Sequence, residues 1–115
     1  MKHHGSCHCG SIEFEVEGTI ESVLDCNCTM CRRRGGLLWM VAGSAFKLIT
    51  PQSSLSTYRF NKKHIQHRFC ATCGIAPFGE GKGPDGNTAV AVNVRCLDKV
   101  DLKSLTVIEY DGLSL

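Results

Sequence analysis

Apolar and polar residues alternate without a break from Ser11 to Glu17, with Ile12, Phe14 and Val16 on one side and Glu13, Glu15 and Glu17 on the other. A period of two places successive side chains on opposite faces of a strand, so this stretch predicts a half-buried strand that stops at Gly18. Ser22 to Asp25 predicts a second short strand, and Thr29 to Arg34 one turn of helix ended by Gly35-Gly36. The apolar runs Leu37 to Ala42 and Ala45 to Thr50 predict two buried strands joined by a turn at Gly43-Ser44, with the single tryptophan, Trp39, in the core. A polar loop is expected from Pro51 to Ser56, a strand from Leu55 to Phe60, a turn at Asn61-Lys62-Lys63, and an extended approach from Ile65 to Phe69 into Cys70. Thr88 to Val94 and Leu105 to Tyr110 predict two further strands on either side of a bend at Arg95-Cys96-Leu97-Asp98. The glycine-rich stretch from Gly79 to Asn87 reads as a flexible connection or lid. It is no phosphate loop, because no helix pattern follows to hold an anion at its N-terminus. No window predicts a helix longer than two turns, so the chain is mainly β.

At 115 residues the chain is expected to form one domain, 1–115, with a modest core that a metal crosslink would strengthen. Its eight cysteines are too few for a secreted disulfide scaffold of this length, and they fall in Cys-x-Cys and Cys-x-x-Cys pairs, which is metal-ligand spacing. No basic, apolar leader opens the sequence and no apolar run approaches the ~20 residues of a membrane span. The expected location is therefore cytoplasmic, where thiols stay reduced. A net charge of +2 is too near neutrality to call for a polyanionic partner, and aromatic residues that could stack on bases are few. The positive residues Arg32 to Arg34, Lys62, Lys63 and Arg68 stand close in sequence to cysteines. Such runs commonly form a solvated face, and their position beside candidate ligands also suits a substrate role.

Seven cysteines lie in clusters: Cys7 and Cys9; Cys26, Cys28 and Cys31; Cys70 and Cys73. Two pairs make a closed tetrathiolate, whereas a site with three protein ligands keeps a fourth position for water or substrate. The simplest partition gives a structural zinc on Cys7, Cys9, Cys70 and Cys73, and a catalytic zinc on Cys26, Cys28 and Cys31. A competing partition is a zinc ribbon on Cys28, Cys31, Cys70 and Cys73, although its central gap exceeds the ~15–20 residues usual for that module. In a third, all seven thiols serve only to hold the fold. Gly10 and Gly74, each just after a cysteine pair, suit tight turns around an ion. His8 is expected to point away between two better ligands, His3 and His4 to be mobile, and Cys96 to be a small buried hydrophobe outside both sites.

Cys7-His8-Cys9-Gly10, Cys26-Asn27-Cys28-Thr29-Met30-Cys31, Cys70-Ala71-Thr72-Cys73-Gly74 and Asn93-Val94-Arg95-Cys96-Leu97-Asp98 together resemble the glutathione-dependent formaldehyde-activating family, which includes the conserved domain of centromere protein V. The resemblance covers nearly the full chain. It implies a β-tent of antiparallel sheets, a structural zinc on Cys7, Cys9, Cys70 and Cys73, and a second zinc on Cys26, Cys28 and Cys31. It also implies carbon–sulfur lyase chemistry, in which glutathione and formaldehyde combine to S-(hydroxymethyl)glutathione or the adduct is cleaved. The chain is short for the family, which bears on whether regions that recognise glutathione are present.

Elementary chemistry points the same way. Three thiolates on a divalent zinc leave a net negative complex and a weak Lewis acid, so activation of water is not its best use. A thiol entering the fourth position is deprotonated and stays nucleophilic. The expected partners are a small thiol such as glutathione and a small aldehyde, with Arg32 to Arg34 or Arg68 as candidate clamps for the thiol's carboxylates. The alternative is a non-enzymatic zinc module that contacts a protein or nucleic acid through its basic run.

Overall fold

The computed structural model describes residues 1–59 and 65–114. Among the described residues ten strands and one short α-helix follow in order: β1 (Lys2–Ser6), β2 (Glu13–Glu17), β3 (Ser22–Cys26), α1 (Thr29–Arg34), β4 (Leu38–Ala42), β5 (Phe46–Leu48), β6 (Leu55–Tyr58), β7 (Gln66–Cys70), β8 (Phe78–Lys82), β9 (Thr88–Asn93) and β10 (Thr106–Tyr110). They build two sheets. The smaller has the order β1-β2-β5, and the larger β10-β3-β4-β9-β8-β7-β6. Every pairing is antiparallel except β10 with β3, which is parallel in the register Thr106↔Ser22 to Tyr110↔Cys26. The protein is thus mainly β, with antiparallel sheets.

The alternation in β2 has the expected consequence: Phe14 and Val16, with Ile12 just ahead of the strand, are buried. Their apolar face packs toward the large sheet through three rings. Phe14 of β2 stacks on Phe46 of β5 at 5.2 Å between centroids, and Phe46 meets Phe78 of β8 at 4.6 Å. Val90, Val92 and Val94 complete this side of the core, and Trp39 on β4 is buried as predicted. Aromatic contacts at these distances add to the burial of the rings themselves.

Three expectations are corrected. His3 and His4 are held in β1: the His3 ring meets Trp39 edge-on at 5.5 Å, and His4 bridges Asp98 and Glu13. Adjacent polar positions beside a cysteine pair gave no strand period to detect. The Gly79–Asn87 stretch is no loose lid. Its first half lies within β8, paired on both sides, and only the remainder turns back toward β9. Glycines at 79 and 81 hid this strand, whose hydrogen bonds come from its neighbours and not from local propensity. The two strands after Leu37 are joined by a turn as expected, here the 3-10 turn Gly43–Ala45 that carries the chain from the large sheet to the small one, but they are not buried along their length. Of β4 only Trp39 is fully buried. The strand expected at Leu55 to Phe60 is described to Tyr58, and Phe60 and the turn at Asn61-Lys62-Lys63 lie outside the described residues.

Candidate metal centres

The first cluster is built from two knuckles of similar design. Between β1 and β2, Cys7 donates its backbone N–H to the Ile12 carbonyl at 3.1 Å, and the Ile12 N–H donates back to Cys7 Sγ at 3.3 Å. At the end of β7, Cys70 donates to the Ile75 carbonyl at 2.9 Å, while the N–H groups of Thr72 and Cys73 both donate to Cys70 Sγ at 3.3 Å. Gly10 and Gly74 follow at φ of 84° and 81°, a left-handed conformation that side chains resist, and so each chain can reverse directly after its second thiol.

These knuckles bring together residues distant in sequence. Cys9 Sγ lies 3.7 Å from Cys7 Sγ and 3.6 Å from Cys70 Sγ, and with Cys73 the four sulfurs lie within 4.8 Å of one another. Sulfurs about 2.3 Å from a shared tetrahedral centre stand about 3.8 Å apart, whereas a disulfide requires about 2.05 Å. The spacing therefore fits a metal ion, and all eight cysteines are free. Thiolate character is favoured on the outer pair. Hydrogen bonds from backbone N–H groups, Ile75 first, bring Cys73 down to about 6, and Ser11 lowers Cys9. Burial pushes Cys7 up. Cys96 is half-buried against the core and raised to about 11, by burial first and then by the charges of Cys7 and Cys73. It lies beside this cluster without joining it.

The second cluster is local. β3 ends at Cys26, Cys28 caps α1, and Cys31 lies one turn in, so the strand-to-helix corner alone gathers three sulfurs within 4.8 Å of one another. The Cys28 Sγ accepts the Cys31 N–H at 3.3 Å, in the place where a serine or aspartate oxygen usually caps a helix. Burial opposes ionisation of Cys28, yet the Cys31 N–H and the neighbouring thiols outweigh it and leave Cys28 lowered, while burial drives Cys31 upward. Gly35 closes the helix in the left-handed conformation, φ 73°, donating to the Cys31 carbonyl at 2.9 Å.

Cys70 and Cys73 therefore meet Cys7 and Cys9, and the ribbon pairing with Cys28 and Cys31 does not form. Both clusters have the geometry and donor set to hold metal ions, as sulfur-rich sites for zinc do. His8 is exposed and belongs to neither.

Of the candidate clamps, Arg68 is already engaged. Its Nε and Nη2 donate to Glu80 Oε1 at 3.3 and 2.8 Å, and its Nη1 to Thr57 Oγ1 at 3.1 Å. Arg33 returns to the Thr29 carbonyl at 2.7 Å. Arg34 extends over the Phe69 ring, 5.7 Å from its centroid, and His67 is lowered by burial and then by the Arg34 charge. Lys62 and Lys63 lie outside the described residues. The arginines also suit α1 itself, because positive charge in the last turn complements the helix dipole.

Sequence reasoning missed Asn27 and the segment that follows β10. The Asn27 amide reaches Asp111 and Leu113 from between two cysteines. Its neighbours in sequence carry no sign of that contact, which depends on the parallel pairing of β3 with β10.

Fold and sulfur geometry define a small mainly β domain organised around two multi-cysteine clusters of metal-binding type. A family model described as glutathione-dependent formaldehyde-activating enzyme matches residues 2–108, and the chain belongs to that family. A crystal structure of a Rhodobacter sphaeroides protein is similar to it, with 30% sequence identity, a TM-score of 0.78, and coverage of 94% of this chain and 100% of that one. Membership associates the chain with glutathione-dependent formaldehyde activation in general. Among the described residues, no helix is long and apolar enough to cross a membrane.

Proposed function

We propose that the protein is a carbon–sulfur lyase that forms or cleaves S-(hydroxymethyl)glutathione, with Cys26, Cys28 and Cys31 as the catalytic metal ligands and Cys7, Cys9, Cys70 and Cys73 as a structural set. The observation that carries this reading is the difference in composition between the clusters. Four sulfurs close a tetrahedron, whereas three leave one position for a ligand from outside. Zinc held at the three-cysteine site supplies a position at which an incoming thiol is kept as its thiolate.

The chain's own residues then have separable tasks. The Cys31 N–H holds Cys28 Sγ toward the site, and the short helix fixes Cys31 relative to it. In the forward reaction a carbon–sulfur bond forms between the thiol sulfur and the aldehyde carbon, and the carbonyl oxygen takes up the proton the thiol has lost. Cleavage reverses both changes. Arg34 lies three residues beyond Cys31 and above the Phe69 ring, and it is a candidate to bind a carboxylate of the thiol substrate. Arg68 would first have to leave Glu80.

The test is magnetisation-exchange NMR between the free reactants and the adduct, with the uncatalysed rate subtracted. Zinc-loaded protein is expected to accelerate exchange, and Cys28→Ser to return it to background while one metal ion and the fold remain. Absence of acceleration in protein that holds two zinc ions would point instead to a non-enzymatic zinc module.

A further inference from the structure

The chain leaves β10 at Tyr110 and folds directly onto the three-cysteine cluster. The Asn27 N–H donates to the Tyr110 carbonyl at 3.1 Å, extending the parallel register by one step. Its side-chain amide is used at both ends: Nδ2 donates to Asp111 Oδ1 at 3.1 Å, and Oδ1 accepts the Leu113 N–H at 2.9 Å. The Ser114 hydroxyl closes the loop on Asp111 Oδ2 at 2.6 Å. Gly112, at the middle, lies against the cluster so closely that a Cβ there would stand 2.6 Å from Cys26 Sγ and 3.3 Å from Cys28 Cβ. Gly112 is not among the residues with positive φ, so lack of space, not backbone conformation, makes glycine necessary there.

We infer that Asn27 and Gly112 are positioning residues, joined in a strap that walls one flank of the Cys26, Cys28 and Cys31 site and fixes the direction of Cys26 Sγ. This rests on the reading of that cluster as a metal site. Asn27 is the peptide link between two ligands, and holding its side chain at two points and its backbone N–H at a third restrains the backbone that aims both sulfurs. The strap also denies the covered flank to an incoming ligand, leaving a thiol to approach from the side opposite Gly112. Its C-terminal part, from Asp111 to Ser114, lies beyond residues 2–108, the part of the chain that the family model matches.

The experiment follows release of both metal ions from full-length, cobalt-loaded protein to a chelator, with the visible thiolate–cobalt bands as the readout. Loss of an outer hydrogen-bond partner typically weakens metal binding ~10–100-fold. Asn27→Ala and Gly112→Ala are each expected to speed release of one ion by about tenfold or more and to alter its band shape, leaving the other ion unchanged. Because both open one strap, the double variant should release metal no faster than either single variant. Asn27→Asp alone sets two carboxylates against each other and should behave like the alanine variant. Adding Asp111→Asn restores a donor and an acceptor across the pair and should return the wild-type rate. Two ions released at wild-type rates from both single variants would overturn the strap and leave the metal reading intact, as would equal acceleration of both ions. Wild-type protein that binds one ion per chain would overturn the metal reading and the strap with it.

Discussion

At the scale of the residue, each cluster combines thiols whose ionisation is favoured with a buried one whose ionisation is opposed. Backbone N–H donors, Ile75 first, lower Cys73, and at Cys28 the Cys31 N–H and the neighbouring thiols outweigh burial, whereas burial raises Cys7 and Cys31. His4 shows a titration with a structural consequence. Its Nδ1 lies 2.7 Å from Asp98 Oδ2 and its Nε2 3.3 Å from Glu13 Oε2, and hydrogen bonding to Asp98, then to Glu13, raises its pKa above the ordinary 6.5. A raised value means that the folded state binds the proton more tightly. The resulting stabilisation is complete below 6.5, provided the carboxylates stay charged, and is lost as pH rises through the folded value. The stability difference between wild type and His4→Gln should therefore be largest near pH ~6 and shrink toward pH ~8 in urea titrations at each pH. The effect should be small, because all three side chains face solvent.

At the scale of the element, β1 is held by close packing. A Cβ on Gly5 would meet the Phe14 ring edge well inside contact distance, with carbons at 2.8 and 2.9 Å, and Phe14 is fully buried between Phe46 and Phe78. The ring cannot retreat without disturbing the other two. Gly5→Ala should consequently destabilise the protein by about 1–3 kcal/mol, seen as a lower urea midpoint with an unchanged slope. The same element shows why local reading fell short there. Lys2–Ser6 contains no apolar alternation, and it is a strand because β2 offers it a paired edge from Lys2↔Glu17 to Ser6↔Glu13. Likewise β8 is ordered by β7 and β9 despite its glycines.

At the scale of the whole molecule, the four-sulfur cluster joins the β1–β2 connection of the small sheet to the end of β7 in the large one, across 61 residues from Cys9 to Cys70. A metal ion held there would act as a crosslink between sheets, so its binding free energy would become folding free energy. Stripping metal with a chelator should lower the thermal midpoint, and unfolding free energy should rise by about 1.4 kcal/mol per occupied site for each tenfold increase in free zinc above that site's dissociation constant. Cys70→Ser and Cys28→Ser should each remove the part of that dependence due to its own site, and Cys70→Ser should lower the midpoint more, because its site joins the two sheets. Calorimetry across a series of zinc buffers measures both. An unchanged midpoint on metal removal would sink the crosslink.

The sequence by itself determined what depends on neighbours along the chain. The period of two between Ser11 and Glu17 specified the core face of β2, and the spacing of Cys26, Cys28 and Cys31 was enough to make one cluster, because a strand end and one helical turn span it. Counting and family resemblance paired Cys7 and Cys9 with Cys70 and Cys73, but only the folded chain brings their sulfurs within reach, since that meeting requires two sheets to pack. Tertiary structure alone decided that Arg68 is held by Glu80, that β8 is a strand, and that Asn27 is grasped by the residues after β10. Each of these depends on hydrogen bonds between separate segments, 12 residues apart for Arg68 and Glu80 and 84 for Asn27 and Asp111, and neither spacing nor hydrophobic period carries any trace of such partners.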